Sequence, residues 1–139
     1  MKVVIAIDGS PSSIRAVDYV LTHHEVFGAK PEITLVNVHL PVPSGRAKQW
    51  VGKEILDAYY SEEAEAQLAP ARARVKAAGR NASELKLIGN PGDEIAKAGK
   101  GQHMIVMGTH GRSALGNLVM GSVATRTVAV SDTPVLLIK

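Results

Sequence analysis

No cysteine occurs among the 139 residues, which excludes a disulfide framework and any thiolate metal site and suits a reducing compartment. Aromatic residues are scarce, with one Trp, one Phe and three Tyr, so the core must be packed from aliphatic side chains. No apolar run approaches the ~20 residues of a membrane span. The opening run Val3-Val4-Ile5-Ala6-Ile7 is shorter than the apolar region of a signal peptide and is closed by Asp8. The expectation is a cytoplasmic chain. Lys and Arg form no run, and the net charge of +3 is too mild to mark a nucleic-acid stripe, although it suits an anionic ligand. No glycine loop is followed by Gly-Lys-Ser/Thr, which excludes a Walker-type phosphate loop. The Gly-x-Gly-x-x-Gly dinucleotide fingerprint is also missing after the first apolar run. No internal repeat or domain boundary is visible, and the length fits one compact domain.

What is present is an alternation of short aliphatic runs with helical stretches. Strands are expected over residues 2–7, 33–40, 85–88, 104–107 and 135–138. They are apolar almost continuously, as parallel strands covered on both faces should be. Ser10 as N-cap and Pro11 at the first position should start a helix, with Ile14, Val17 and Leu21 facing the core. Gly28 or the Lys30-Pro31 pair should end that unit. After the loop Pro41-Val42-Pro43-Ser44-Gly45, a long helix is expected over residues 51–78, kinked or split at Pro70, with Gly79 as its C-cap. Two shorter helices are expected over residues 93–100 and 123–130. The order β-α-β-α-β-α-β-α-β predicts a doubly wound α/β fold with helices on both faces of a five-stranded parallel sheet.

In such a sheet, ligands bind beyond the carboxyl ends of the strands, where the strand order reverses. Two loops there carry unusual chemistry. Asp8-Gly9-Ser10 follows the first strand and offers a carboxylate for ribose hydroxyls or a metal ion. Gly108-Thr109-His110-Gly111 follows the fourth, and nine residues later Gly121-Ser122 opens a helix. Glycines allow the backbone to approach an anion closely, and helix N-terminal amides point at its charge. This connection is long for a strand-to-helix link, which favours a functional loop.

Each feature also has a plainer reading. Asp8 could be a turn residue, Gly108 and Gly111 could serve tight turns, and Ser122 could be an N-cap. His110 has no orienting carboxylate nearby in sequence and reads as a loop residue. His39 and the pair His23-His24 read as structural or solvent-facing, with no metal-site spacing. The Lys/Glu mixture of the long helix is a solvated face.

Over its whole length the chain resembles the universal stress protein family. Val3-Val4-Ile5-Ala6-Ile7-Asp8-Gly9-Ser10 is similar to the family's first strand and turn, and Ile105-Val106-Met107-Gly108-Thr109-His110-Gly111-Arg112 to its fourth strand and loop. Gly108, Gly111, Gly121 and Ser122 match the family's ATP-binding pattern Gly-x2-Gly-x9-Gly-Ser/Thr with the spacing intact, and Thr133-Pro134-Val135-Leu136-Leu137-Ile138 is similar to its last strand. His103 departs from the family, which often carries Asp there, and Gly99-Lys100-Gly101 should loosen the preceding helix.

The resemblance implies a Rossmann-like sheet of order 3-2-1-4-5, which makes the first and fourth strands neighbours, and a homodimer formed through the last strand, Val135–Ile138. It implies that Asp8 contacts ribose or a phosphate-bound metal and that Val38 presents backbone to adenine. It further implies that Met107, Gly108, Gly111, Arg112, Gly121, Ser122 and Val123 line the ribose-phosphate path. ATP with Mg²⁺ or Mn²⁺ is the expected ligand. The residues supply binding apparatus without a positioned base or added charge stabilisation for hydrolysis. The expected role is therefore a dimeric stress-response sensor or adaptor with slow or no turnover. The other readings are an adenine-nucleotide enzyme, such as a slow ATPase or an adenylyl transferase, and a nucleotide-free dimeric interaction module.

Overall fold

A computed structural model describes residues 1–42, 52–111 and 120–139. In chain order the elements are β1 (Lys2–Ala6), α1 (Pro11–Thr22), α2 (His24–Phe27), β2 (Glu32–His39), α3 (Lys53–Ala77), β3 (Ala82–Ile88), α4 (Pro91–Ala98), β4 (Met104–Gly108), α5 (Ser122–Val130) and β5 (Val135–Ile138). The five strands form one parallel sheet of order β3-β2-β1-β4-β5. This is the expected Rossmann-like order, with β1 and β4 side by side at the reversal.

Strand alternation divides the core into two layers. Ile5, Ile7, Leu35 and Val106 pack with Val17 and Val20 of α1 and Leu68 and Val75 of α3. Val4, Ala6, Val36, Ile105 and Met107 pack against Ile95 of α4 and Ala124 of α5. Both faces are covered, which is why the strands read as apolar without alternation.

Several element boundaries differ from the sequence expectation for local reasons. The first helical unit is broken at His23, whose φ of −100° and ψ of 68° are not helical. Its ring stacks on Tyr19 at 3.7 Å, holding the break in place. Pro70 does not split α3, which is continuous from Lys53 to Ala77. Proline removes its own N–H and crowds the carbonyl four residues back, that of Ala66. Ala66 and Pro70 are both exposed, so water can satisfy that carbonyl, while buried Leu68 and Ala71 anchor the helix. The helix then ends as expected at Gly79, with φ +72°; the Gly79 amide donates to the Lys76 carbonyl and that of Arg80 to Val75. The start expected at Val51 lies outside the described residues. β3 begins at Ala82 rather than Leu85, since polar residues are tolerated on an edge strand whose ladder to Ile33, Thr34 and Leu35 supplies the pairing. α4 runs from Pro91, capped by Asn90, to Ala98; Gly99 is still helical in its dihedrals, and the chain turns away at Gly101, with φ +78°. His103 is anchored: its Nδ1 accepts from the Lys2 amide at 2.8 Å, and its own amide donates to the Lys2 carbonyl.

Candidate functional site

The loops after β1 and β4 meet over one cleft of about 400 Å³ at the carboxyl end of the sheet. Eight residues singled out from the sequence line it: Asp8, Val38, Met107, Gly108, Gly111, Gly121, Ser122 and Val123. Arg112 lies outside the described residues. The inner wall is apolar, made by Ala6, Val36, Ile95, Met107 and Ala124. Nothing in the apolar sequence pattern distinguishes these wall residues from ordinary core.

Asp8 closes a small turn in which the Ser10 amide donates to its Oδ1 at 2.9 Å. Its plainer role as a turn residue is therefore real, and it uses one oxygen. Toward Oδ2 the backbone of Gly111 comes close, since a Cβ at Gly111 would stand 3.0 Å from that atom. Gly9 has φ +80°, which lets the turn close against Gln67 of α3.

Gly108 has a packing role. A Cβ there would overlap the Ser12 side chain, 2.7 Å from its Cβ and 3.0 Å from its backbone carbonyl carbon, so only glycine lets α1 seat on the end of β4. Thr109 then ties the loop down on two sides. Its amide donates to the Ile138 carbonyl of β5 at 2.9 Å, and its carbonyl accepts from the Gly121 amide at 2.6 Å. Its hydroxyl pairs with Nδ1 of His110 at 2.8 Å.

Three helix N-termini border this cleft and are finished differently, while α3, which also begins at an uncapped glycine, Gly52, does not line it. Ser10 Oγ accepts from the Ser13 amide at the start of α1, and Asn90 Oδ1 accepts from the Asp93 amide at the start of α4. At α5 the N-cap is Gly121, which has no side chain to cap with. Ser122 is the first helical residue rather than the cap. The amides of Ser122, Val123 and Ala124 precede the first intrahelical bond, from Thr125 to the Gly121 carbonyl, and all three residues line the cleft. This end can accept an anion, which the helix dipole also favours.

Asp8 is the one carboxylate among the described lining residues, and none of these is Lys or Arg. Among the described residues no three His, Asp or Glu side chains gather to hold a metal ion. One buried polar residue behind the site escaped the sequence reading. Asn37 is 1% exposed and donates to the Ile7 carbonyl at 2.9 Å and to Gln67 Oε1 at 2.6 Å. The available signal was a lone amide between Val36 and Val38 in an apolar strand.

Comparison with known proteins agrees with this fold. The model for the universal stress protein family matches residues 1–139. A universal stress protein of Thermus aquaticus is 29% identical over 140 residues, covering 99% of this chain and 97% of its own. The solved structure of MJ0577, a Methanocaldococcus jannaschii universal stress protein, superposes with a TM-score of 0.78 at 25% identity, covering 99% of this chain and 94% of that one. A universal stress protein solved in complex with cAMP superposes with a TM-score of 0.67 at 26% identity, covering 100% and 96%.

Proposed function

The chain belongs to the universal stress protein family, and from that premise we propose that it binds adenine nucleotide, ATP with Mg²⁺ or Mn²⁺, as a dimeric cytoplasmic sensor or adaptor. The observation that carries the reading is the uncapped N-terminus of α5 facing the Asp8 turn across a cleft with an apolar wall. Apolar side chains suit the faces of a purine, and the free amides of Ser122 and Val123 suit phosphate oxygens. The fold relative solved with cAMP supports an adenine ligand.

Asp8 would otherwise repel a triphosphate, and the described lining offers no Lys or Arg side chain to offset it. A divalent cation carried by the nucleotide reconciles the two, because hard cations bridge carboxylate and phosphate oxygens. Asp8 would hold that cation indirectly or receive the ribose hydroxyls, the Val38 backbone would meet the base, and Met107, Gly108 and Gly111 would flank the ribose and phosphates.

Hydrolysis is expected to be slow, since the one carboxylate of the described lining, Asp8, is committed in this reading to the cation or the ribose. Dimerisation through β5 is supported by its sequence, Val-Leu-Leu-Ile, on a half-exposed edge strand beside exposed Val128 and Val130. Mass spectrometry of nucleotide carried through purification, followed by calorimetric titration with and without Mg²⁺, tests the reading. Bound adenine nucleotide and Mg²⁺-dependent affinity are expected; absence of adenine nucleotide in both measurements overturns it.

A further inference from the structure

β1 stops pairing with β2 at Ala6, opposite Val36, and one further bond runs from the Ile7 amide to the Val36 carbonyl at 2.8 Å. In a continuing parallel ladder the next bond would run from the Val38 amide to the Ile7 carbonyl. That pairing is not made, and the Ile7 carbonyl accepts instead from Asn37 Nδ2. The second Nδ2 proton goes to Gln67 Oε1, on the same α3 residue that Gly9 packs against. Both neighbours are acceptors, which fixes the amide with its nitrogen toward Ile7. The Asn37 Oδ1 is buried and has no hydrogen-bond partner. An orphaned acceptor lowers stability, so an apolar residue would serve the core better at this position.

We propose that Asn37 is a positioning residue that ends the β1–β2 ladder one bond early and so leaves the Val38 amide open to the cleft for a base edge. The Val36 carbonyl points toward β1, so by strand alternation the N–H and C=O of Val38 point the same way, past the end of β1. Val38 lines the cleft there. A donor and an acceptor on one residue can pair with adenine, which presents an amino donor beside a ring-nitrogen acceptor. The selection of adenine rests on the nucleotide reading above, whereas the ladder stop does not.

Asn37→Leu keeps the volume and removes the donors, and Asn37→Val does the same with a better strand former. In either variant the freed Ile7 carbonyl should take the Val38 amide. Hydrogen exchange of that amide, followed by NMR, is expected to slow by about tenfold or more as it joins the ladder. Calorimetry should show ATP binding weakened about tenfold while inorganic tripolyphosphate with Mg²⁺, which has no base, changes by less than about twofold. Thermal stability should hold or rise. Unchanged Val38 exchange in a folded variant overturns the proposal, as does an equal loss of ATP and tripolyphosphate binding together with stability. If wild-type protein binds no ATP yet Val38 protection still rises in the variants, the nucleotide reading fails and the ladder stop stands.

Discussion

Two polar regions of this molecule are finished in opposite ways. On the α3–β3 flank, charges are closed upon one another. Arg72 donates from Nε and Nη2 to the Glu84 carboxylate and from Nη1 and Nη2 to Glu65, and Lys86 reaches the same Glu65 at 3.4 Å. At the cleft, hydrogen-bonding capacity is left open: α5 begins at a glycine without a cap, Asp8 uses one oxygen, and the β1–β2 ladder stops short of Val38. Saturated polar groups hold elements together. Groups left open beside an apolar wall cost stability and earn their place only when something binds. On the proposed reading, the flank serves the fold and the cleft serves a ligand.

The contrast is broken most severely at Gly108, where the open region depends on tight packing. Gly108→Ala forces a methyl into the Ser12 side chain and against its backbone, which should lower stability by about 3 kcal/mol as α1 is pushed off β4. Urea unfolding measures this; a loss below about 1 kcal/mol means α1 can shift at no great cost. Gly121→Asp tests the open end directly by giving α5 its own cap. A carboxylate there would take the free amides and repel phosphate, so ATP affinity should fall about a hundredfold while stability stays within about 0.5 kcal/mol. Calorimetry and thermal unfolding read the two effects separately, and unchanged affinity would remove the α5 terminus from the site.

The sequence made the cleft legible wherever a residue type has few structural uses. Glycines at 108, 111 and 121 and the carboxylate of Asp8 announced themselves, and the continuous apolar strands announced a sheet covered on both faces. Ordinary core side chains on the cleft wall, such as Ile95 and Ala124, carry no such mark, because burial against a ligand and burial against a helix select the same residues. Asn37 was readable as an anomaly but not as a function. Its meaning depends on a neighbouring strand thirty residues away in sequence, reached through the Ile7 carbonyl. The β3 start was missed for a related reason: Ser83 and Glu84 have poor strand propensity, and their pairing with β2 decides the outcome.

A closed helix end supplies the control for the open one. Asn90 caps α4 from an exposed position outside the cleft lining. Asn90→Ala should cost about 1 kcal/mol of stability and leave ATP affinity alone, the reverse of Gly121→Asp. An affinity loss with Asn90→Ala would mean that capped and uncapped ends both serve the ligand, and the contrast between them would dissolve.

The smallest effect is expected on the flank and is read through pH. Hydrogen bonds from Arg72 hold the Glu65 carboxyl at about 2, below its ordinary 4.5, and lower that of Glu84 as well. The folded chain therefore binds fewer protons than the unfolded one between those values. The stability that Arg72 contributes through these carboxylates is complete above about 4.5 and is lost as pH falls toward 2. Arg72→Met should lower the urea midpoint modestly at pH 7, because ion pairs this exposed contribute little. The wild-type and variant curves should converge as the pH is lowered through that window, since protonated carboxylates no longer distinguish arginine from methionine. A gap that stays constant would show that pairing with these carboxylates is not the source of the arginine's contribution, and the flank would lose its standing as the electrostatically closed partner of the cleft.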